Sequence, residues 1–490
     1  AWMWCNAHRM EKPTINGPKQ PQKLTSKRPP LKPWRLRMNK LVSLSFIVAL
    51  SLQACGGGGG GSTPPSSVVT PPPSFESPHP DTWETQSAAD AGFNAAALSD
   101  AFDYAMQDGT FTQAALVIRD GKLIEEQYRG IADGEVNTLT SLGSYPGDQD
   151  PAFWTENYGT RDSASLMTSW STAKSFTSML IGMAIEKGFI TSTDQLASDF
   201  ITEWQADDRI NITIEQLLDM RSGLVPVCFL PSTGDLGECA NQGDAAAGGN
   251  IVFYPDQMSG CINRDLAVDG AAYPWDSDGI YRAGEFLYSN CDTQVLGEIL
   301  FRATGQDPGT FAQTELFEPI NMTAYWWRDN VESGQSNGNY LTYCCLDATP
   351  RDFAKFGYLM HLGGIELESG TQYGSYVSQV RAMDSFYDKQ FWSFCGEEDG
   401  NGGCLNLVIV TRGFDGQFIA MDFKHNLILV RASLYQPYQN RSDERKMFLI
   451  PGSVADSNWL GSVPNAMAIP APSTFFIEEF HARVVAAINE

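Results

Sequence analysis

Histidine is scarce, with five in 490 residues, and only His361, His425 and His481 lie where the chain has a globular texture. That disfavours a Ser-His-Asp triad, the more so because His425 falls in a hairpin turn signal. No CxxC or HxxxH spacing occurs, so metal ligation has no support and neither a metal nor a cofactor is expected. Long apolar runs are also missing. The longest, Leu41 to Leu52, has twelve residues, too few to cross a bilayer core of about 30 Å. Basic residues are few: 33 Lys and Arg stand against 58 Asp and Glu, a formal net charge of −25. Ten of the 33 fall in residues 1–54 beside one acidic residue, which leaves 23 basic against 57 acidic, a net −34, over residues 55–490. A surface that negative repels phosphate backbones and anionic headgroups, so no nucleic-acid partner is expected.

What is present begins with a targeting device. Met38-Asn39-Lys40 and the run to Leu52 have the layout of a signal peptide over 38–54, and residues 1–37, polar and Lys/Pro-rich, are expected to precede the native start. Leu52-Gln53-Ala54-Cys55 resembles the bacterial lipobox, which implies lipidation at Cys55. With Gly56 next, the similarity implies an exported lipoprotein of a Gram-negative outer membrane, facing the periplasm or the cell surface. An ordinary cleaved signal with a free Cys is the alternative. Residues 55–85, rich in Gly, Pro and Ser, read as a tether that holds a domain away from the membrane, touching it only through the anchor.

Eight further cysteines (Cys228, Cys239, Cys261, Cys291, Cys344, Cys345, Cys395 and Cys404) allow up to four disulfides in an exported chain. Nearest-neighbour pairing suggests Cys395–Cys404 and Cys228–Cys239. The acidic stretch Glu397-Glu398-Asp399 between two of them reads as a solvated loop, with calcium as the rival.

Residues 86–490 form the expected domain. Ala97–Gln107 has helical periodicity, and Ala114–Arg119 and Leu123–Tyr128 flank the turn signal Asp120-Gly121. A helix starts near Ser171 and closes at Lys187-Gly188. From about 190 to 400 the chain reads as helical pieces and long loops. Strands return at Leu405–Thr411, Gln417–Asp422 and Leu427–Ala432, and Ser473–Ile488 reads as a final helix. The fold class expected is mixed α/β (α+β). One antiparallel sheet is built from about 86–190 and 400–490 and flanked by helices, with a mostly helical second region between.

Chemistry enters with Ser171-Thr172-Ala173-Lys174. A serine hydroxyl needs a base within hydrogen-bond reach, and positions i and i+3 share a helix face, so Lys174 would lie beside Ser171. Free N–H groups at the helix start suit a developing oxyanion. The spacing alone is weak: with thirteen lysines about one match arises by chance, and an N-capping Ser before a solvated Lys is the plain alternative. The flank from Ser169 to Ser178 (SWSTAKSFTS) resembles the active-site segment of β-lactamase-related serine hydrolases, closest to the branch with 6-aminohexanoate-dimer hydrolases and class VIII-type esterases. Tyr288-Ser289-Asn290 resembles that family's Y-x-N, which implies a proton-shuttling Tyr288 and an Asn290 that orients substrate or Lys174. Tyr438-Gln439-Asn440 is a decoy with no helix after it. Gln216–Leu224, Leu316–Met322 and Thr349–Gly357 are similar to framework segments of the family, so the likeness spans about residues 90–490.

The third motif departs. The family has Lys or His, any residue, then Gly; here order aligns Phe414-Asp415-Gly416. The N–H of Gln417 could still complete an oxyanion hole with that of Ser171, but the cation that would hold a substrate carboxylate is lost unless Arg412 replaces it. His361-Leu362-Gly363 reads as a capped helix end, and Gly334–Gly338 as a polar turn rather than a nucleophile elbow. Trp170, Tyr254, Trp275, Trp326 and Trp327 are candidates for an apolar pocket, or plain core. The resemblance implies a β-lactamase/transpeptidase-like fold and a serine hydrolase acting on a small-molecule ester or amide. A β-lactamase or D,D-peptidase is the alternative enzyme, and a catalytically silent penicillin-binding-like sensor or scaffold is the rival of another class.

Overall fold

The computed structural model describes residues 77–141, 150–225, 256–267, 284–329, 338–434 and 473–489, with the backbone alone of 227–230 and 235–238. Residues 1–76, including Cys55, lie outside it, as do Cys239, Tyr254, Trp275, the stretch 330–337 and the decoy at 438–440.

Helix α1, Ala95–Met106, starts where Asn94 Oδ1 accepts from the N–H groups of Ala96 and Ala97. Strands β1, Ala114–Arg119, and β2, Lys122–Tyr128, follow. Asp120 (φ 50°) and Gly121 (φ 76°) are both left-handed between them, the tight turn that matches strand twist. The helix expected at the nucleophile is α2, Ala173–Glu186, ended by Lys187 and a left-handed Gly188 (φ 78°). Helix α3 is Asn290–Thr304 and helix α4 is Pro350–Leu362. The later strands are β3, Tyr387–Asp388; β4, Phe391–Glu398; β5, Cys404–Gly413; β6, Gln417–Asp422; and β7, Leu427–Ala432. Helix α5, Ile477–Ala486, closes the described chain.

The sheet is seven-stranded and antiparallel, in the order β3-β4-β5-β6-β7-β1-β2. Pairing of β1 with β7, from Ala114 opposite Ala432 to Arg119 opposite Leu427, joins the two ends of the domain. Alternation along β1 sends Leu116 and Ile118 to one core and Ala115 and Val117 to the other. The first core packs under α2 and α4; the second lies under α1 and α5. Burial on both faces explains why these strands read as unbroken apolar runs.

Two strands of this sheet were not expected. β3 and β4 extend the sheet beyond β5, so its second half begins at Tyr387 rather than near 400. Phe391–Glu398 (FWSFCGEE) lacks clean alternation, and its register against β5 shifts around Glu397. Partner strand β5, not local pattern, organises it. Residues 77–85 are also tied down: His79 and Trp83 are buried, and Trp83 Nε1 donates to the carbonyl of Arg351.

Cys395 pairs with Cys404, as nearest-neighbour spacing suggests. Cys261 pairs with Cys291, and the adjacent residues Cys344 and Cys345 pair with each other, neither of which the spacing indicates. No helix among the described residues is long and apolar enough to cross a membrane.

Candidate active site

Ser171 sits in a single 3-10 turn, Trp170–Thr172, that runs directly into α2. The turn is anchored on its upstream side. Ser169 N–H donates to the Leu346 carbonyl at 2.7 Å, and Leu346 N–H donates to Ser169 Oγ at 2.9 Å. Trp170 takes a left-handed backbone (φ 47°), which costs a non-glycine residue about 1–2 kcal/mol. The neighbouring anchors hold it there, immediately before the candidate nucleophile.

In the first turn of α2, Lys174 is buried, and its Nζ lies 3.1 Å from Ser171 Oγ. The plain alternative, a solvated lysine, is thereby removed. Nζ also donates to Asn290 Oδ1 at 2.7 Å and to the Tyr343 carbonyl at 2.8 Å. Burial drives the Lys174 pKa well below its ordinary value. A neutral amine has two N–H donors and one lone pair. The amide oxygen and the carbonyl can only accept, so they take both donors and leave the lone pair for the Ser171 hydroxyl. Asn290, in the first turn of α3, thus makes the contact that one of its two suggested roles, orienting Lys174, requires.

The Tyr288 ring lies 5.0 Å from Lys174 Nζ, and the Tyr288 hydroxyl has a hydrogen bond with Ser171. Burial pushes the Tyr288 pKa up, with the Ser171 bond opposing. Two residues beyond Asn290, Asp292 is buried and accepts from Ser222 Oγ at 2.9 Å, which ties α3 to the Ser222-Gly223-Leu224 turn. Burial first, against Ser222 and Arg264, lifts the Asp292 carboxyl to about 7.

Phe414-Asp415-Gly416 forms a short 3-10 turn between β5 and β6, left-handed at Asp415 (φ 61°) and Gly416 (φ 87°). The Thr172 hydroxyl donates to the Gln417 carbonyl at 3.1 Å, so the start of β6 lies beside the nucleophile turn. A Cβ on Gly413 would stand 2.2 Å from the Ser169 carbonyl, and glycine there permits that approach. Arg412 does not replace the missing cation. Its guanidinium pairs with Glu478 on α5, across the other face of the sheet. The cation near this motif is Arg431, buried in β7, which donates to the carbonyls of Asp415 and Gly416 at 2.9 and 2.7 Å. Burial lowers its pKa to about 9. A single arginine within LILVRA was the sequence signal for it.

The three histidines sit elsewhere. His425 and His481 both bond Asp422 Oδ2, at 2.7 and 2.8 Å, and His361 Nε2 lies 3.1 Å from the Leu427 carbonyl. Asp422 and Leu427 are at the opposite end of β6 and β7 from Gln417. His361 is in the last turn of α4, before the left-handed Gly363 (φ 83°). Asp399 Oδ1 accepts from the N–H groups of Asn401 and Gly403, so its carboxylate is spent on its own loop. No cluster of potential metal ligands occurs among the described residues.

Of the aromatic candidates, the two adjacent tryptophans are plain core, the second of the two readings. Trp326 and Trp327 are buried, with their Nε1 groups donating to the carbonyls of Leu341 and Cys344 and to Asp347 respectively. The rings around Tyr288 are instead Trp392 at 5.5 Å and Tyr387 at 6.1 Å, continued by Phe286 and the half-exposed Phe386. Trp170 meets Phe414 edge-on at 6.0 Å.

The sequence profile of the family described as Beta-lactamase matches residues 98–433, well over half of the chain. This protein belongs to the β-lactamase family. Among solved structures, it is similar to a protein from Bacillus anthracis described as a 6-aminohexanoate-dimer hydrolase, at 18% identity over 74% of this chain and 84% of that one, TM-score 0.48. It is similar to a penicillin-binding protein homologue from Caulobacter crescentus at 15% identity, covering 72% and 94%, TM-score 0.46. A class C β-lactamase from Rhodobacter sphaeroides matches at 14% identity, covering 71% and 95%, TM-score 0.43. The β-lactamase family is broadly one of serine hydrolases, and this chain carries its mixed fold on an antiparallel sheet.

Proposed function

We propose that this protein hydrolyses a small ester or amide through an acyl-enzyme on Ser171. The observation that carries the reading is the buried Lys174, whose Nζ is 3.1 Å from Ser171 Oγ and whose two other partners can only accept. Ser171 Oγ attacks the carbonyl carbon while its proton passes to Lys174. The N–H groups of Ser171 and Gln417 hold the oxyanion. The bond to the leaving group breaks as Tyr288, kept protonated by burial and re-protonated through Lys174, delivers the proton to it. Water then attacks the acyl carbon, giving its proton back along the same pair, and Ser171 is regenerated.

Phe414 at the cation position and Arg412 held by Glu478 favour substrates without a carboxylate next to the scissile bond. The rings of Trp392, Tyr387 and Phe286 around Tyr288 favour an apolar group on one side of it. Cys55 as a lipid anchor, with 56–76 as tether, would place this activity at the outer membrane.

Turnover of p-nitrophenyl butyrate by Ser171→Ala is expected to fall by at least roughly 10³-fold with an unchanged melting profile. Undiminished turnover in that variant sinks the assignment. Nitrocefin hydrolysis outrunning ester hydrolysis would instead select the β-lactamase reading, and no labelling of wild-type Ser171 by a fluorophosphonate would select the silent sensor.

A further inference from the structure

Cys344 and Cys345 lie between two contacts on which the site depends. Immediately before them, the Tyr343 carbonyl accepts from Lys174 Nζ. Immediately after them, Leu346 exchanges two hydrogen bonds with Ser169, two residues from the candidate nucleophile. One four-residue segment, Tyr343–Leu346, therefore positions both the base and the turn that carries Ser171. The disulfide between adjacent residues closes a ring around the peptide that separates the two contacts. It is buried on both sides, and Trp326 Nε1 donates to the Cys344 carbonyl at 2.9 Å while Trp327 N–H donates to the Cys345 carbonyl at 3.0 Å. Cys345 is left-handed (φ 69°), a conformation disfavoured for a non-glycine residue and one that an open chain would tend to leave.

We infer that the Cys344–Cys345 disulfide is a positioning element for the Ser171–Lys174 pair, one that makes catalysis depend on the oxidised state of these two residues. The inference rests on the hydrolase reading above. With the ring closed, the Tyr343 carbonyl stays on Lys174, both amine N–H groups remain engaged and the lone pair stays aimed at Ser171. A dithiol opens it by supplying two electrons and two protons: the sulfur–sulfur bond breaks, Cys344 and Cys345 become thiols, and the dithiol becomes a cyclic disulfide. Tyr343 and Leu346 are then free to move apart, and the amine can turn away.

The test compares wild type, Cys344→Ala/Cys345→Ala and the control Cys395→Ala/Cys404→Ala, which removes the disulfide of the β4–β5 hairpin. A fluorophosphonate gives two readouts. Final labelling stoichiometry counts folded sites, and the second-order rate reports how reactive Ser171 is in each. In Cys344→Ala/Cys345→Ala the stoichiometry is expected to hold while the labelling rate and kcat for p-nitrophenyl butyrate fall about ten- to a hundredfold, with KM within about twofold, because small misplacements of reacting groups cost that much. The control is expected to match wild type in rate. A rate equal to wild type in the Cys344→Ala/Cys345→Ala variant overturns the positioning role, as does lost stoichiometry at unchanged rate per site. If that variant does not fold, graded dithiothreitol on the wild-type chain replaces it, with mass-spectrometric counting of alkylated cysteines. Activity must then fall in step with Cys344 and Cys345 thiols and return on reoxidation. Full activity with those thiols free refutes the proposal. A wild-type chain that takes no label and hydrolyses no ester defeats the hydrolase reading itself, a result distinct from equal rates.

Discussion

At the scale of single residues, Lys174 bears the most chemistry. Its Nζ meets Ser171, Asn290 and Tyr343, and burial holds its pKa well below the usual lysine range. A base works in its deprotonated form, so kcat/KM should rise as pH climbs through that lowered pKa. Tyr288 is shifted the other way by the same burial, which keeps its proton through the neutral and mildly alkaline range. The expected profile for a stable ester is therefore a plateau whose acid limb lies far below pH 10. An acid limb at an ordinary lysine value would contradict this account of the base. Lys174→Arg keeps a cation but cannot yield a free amine, because guanidinium does not deprotonate in proteins. That variant should lose about 10²- to 10⁴-fold in kcat. Retained activity would show that Lys174 acts only as a fixed charge.

At the scale of elements, the register of what the sequence disclosed follows from what each residue does. Strands β1, β6 and β7 were legible because burial on both faces makes them apolar throughout, and their limits match expectation closely. Ser171, Lys174, Tyr288 and Asn290 were legible because their side chains meet, and the structure gathers all four. Tyr343 was not, since it contributes a backbone carbonyl, for which any residue type would serve. Trp392 was hidden in β4, a strand whose glutamates and glycine disguise it. Coupling between elements gives its own prediction. Asp292, in the first turn of α3, is bonded to Ser222 and raised to about 7 by burial, against about 3.9 in an unfolded chain. Between those values the folded state binds the extra proton. Asp292 therefore contributes stability that is complete below about pH 4 and lost as pH rises through 7. Asp292→Asn keeps an acceptor for Ser222 and removes the titration. Melting temperatures of the two proteins, measured from pH 4 to 8, should show a smaller decline in the variant, whatever their offset. Parallel curves would place the carboxyl in a more solvated setting.

At the scale of the whole molecule, the excess of acid is the feature with no role in any single contact. Residues 55–490 carry 57 Asp and Glu against 23 Lys and Arg, and the third-motif position offers Phe414 where a local cation would otherwise attract an anion. Long-range potential should then dominate how charged substrates arrive. A negative field raises the local concentration of cations and lowers that of anions, and the effect fades as salt shortens the Debye length from about 30 Å at 0.01 M to about 3 Å at 1 M. Two p-nitrophenyl esters of equal acyl length, one ending in a trimethylammonium group and one in a carboxylate, separate this from pocket chemistry. At low salt, kcat/KM should favour the cationic ester by about tenfold or more. Added salt should lower its kcat/KM and raise that of the anionic ester until the preference nearly closes. A ratio that ignores salt would mean that discrimination comes from groups touching the substrate, and would point to a cation near Ser171 that offsets the field around it.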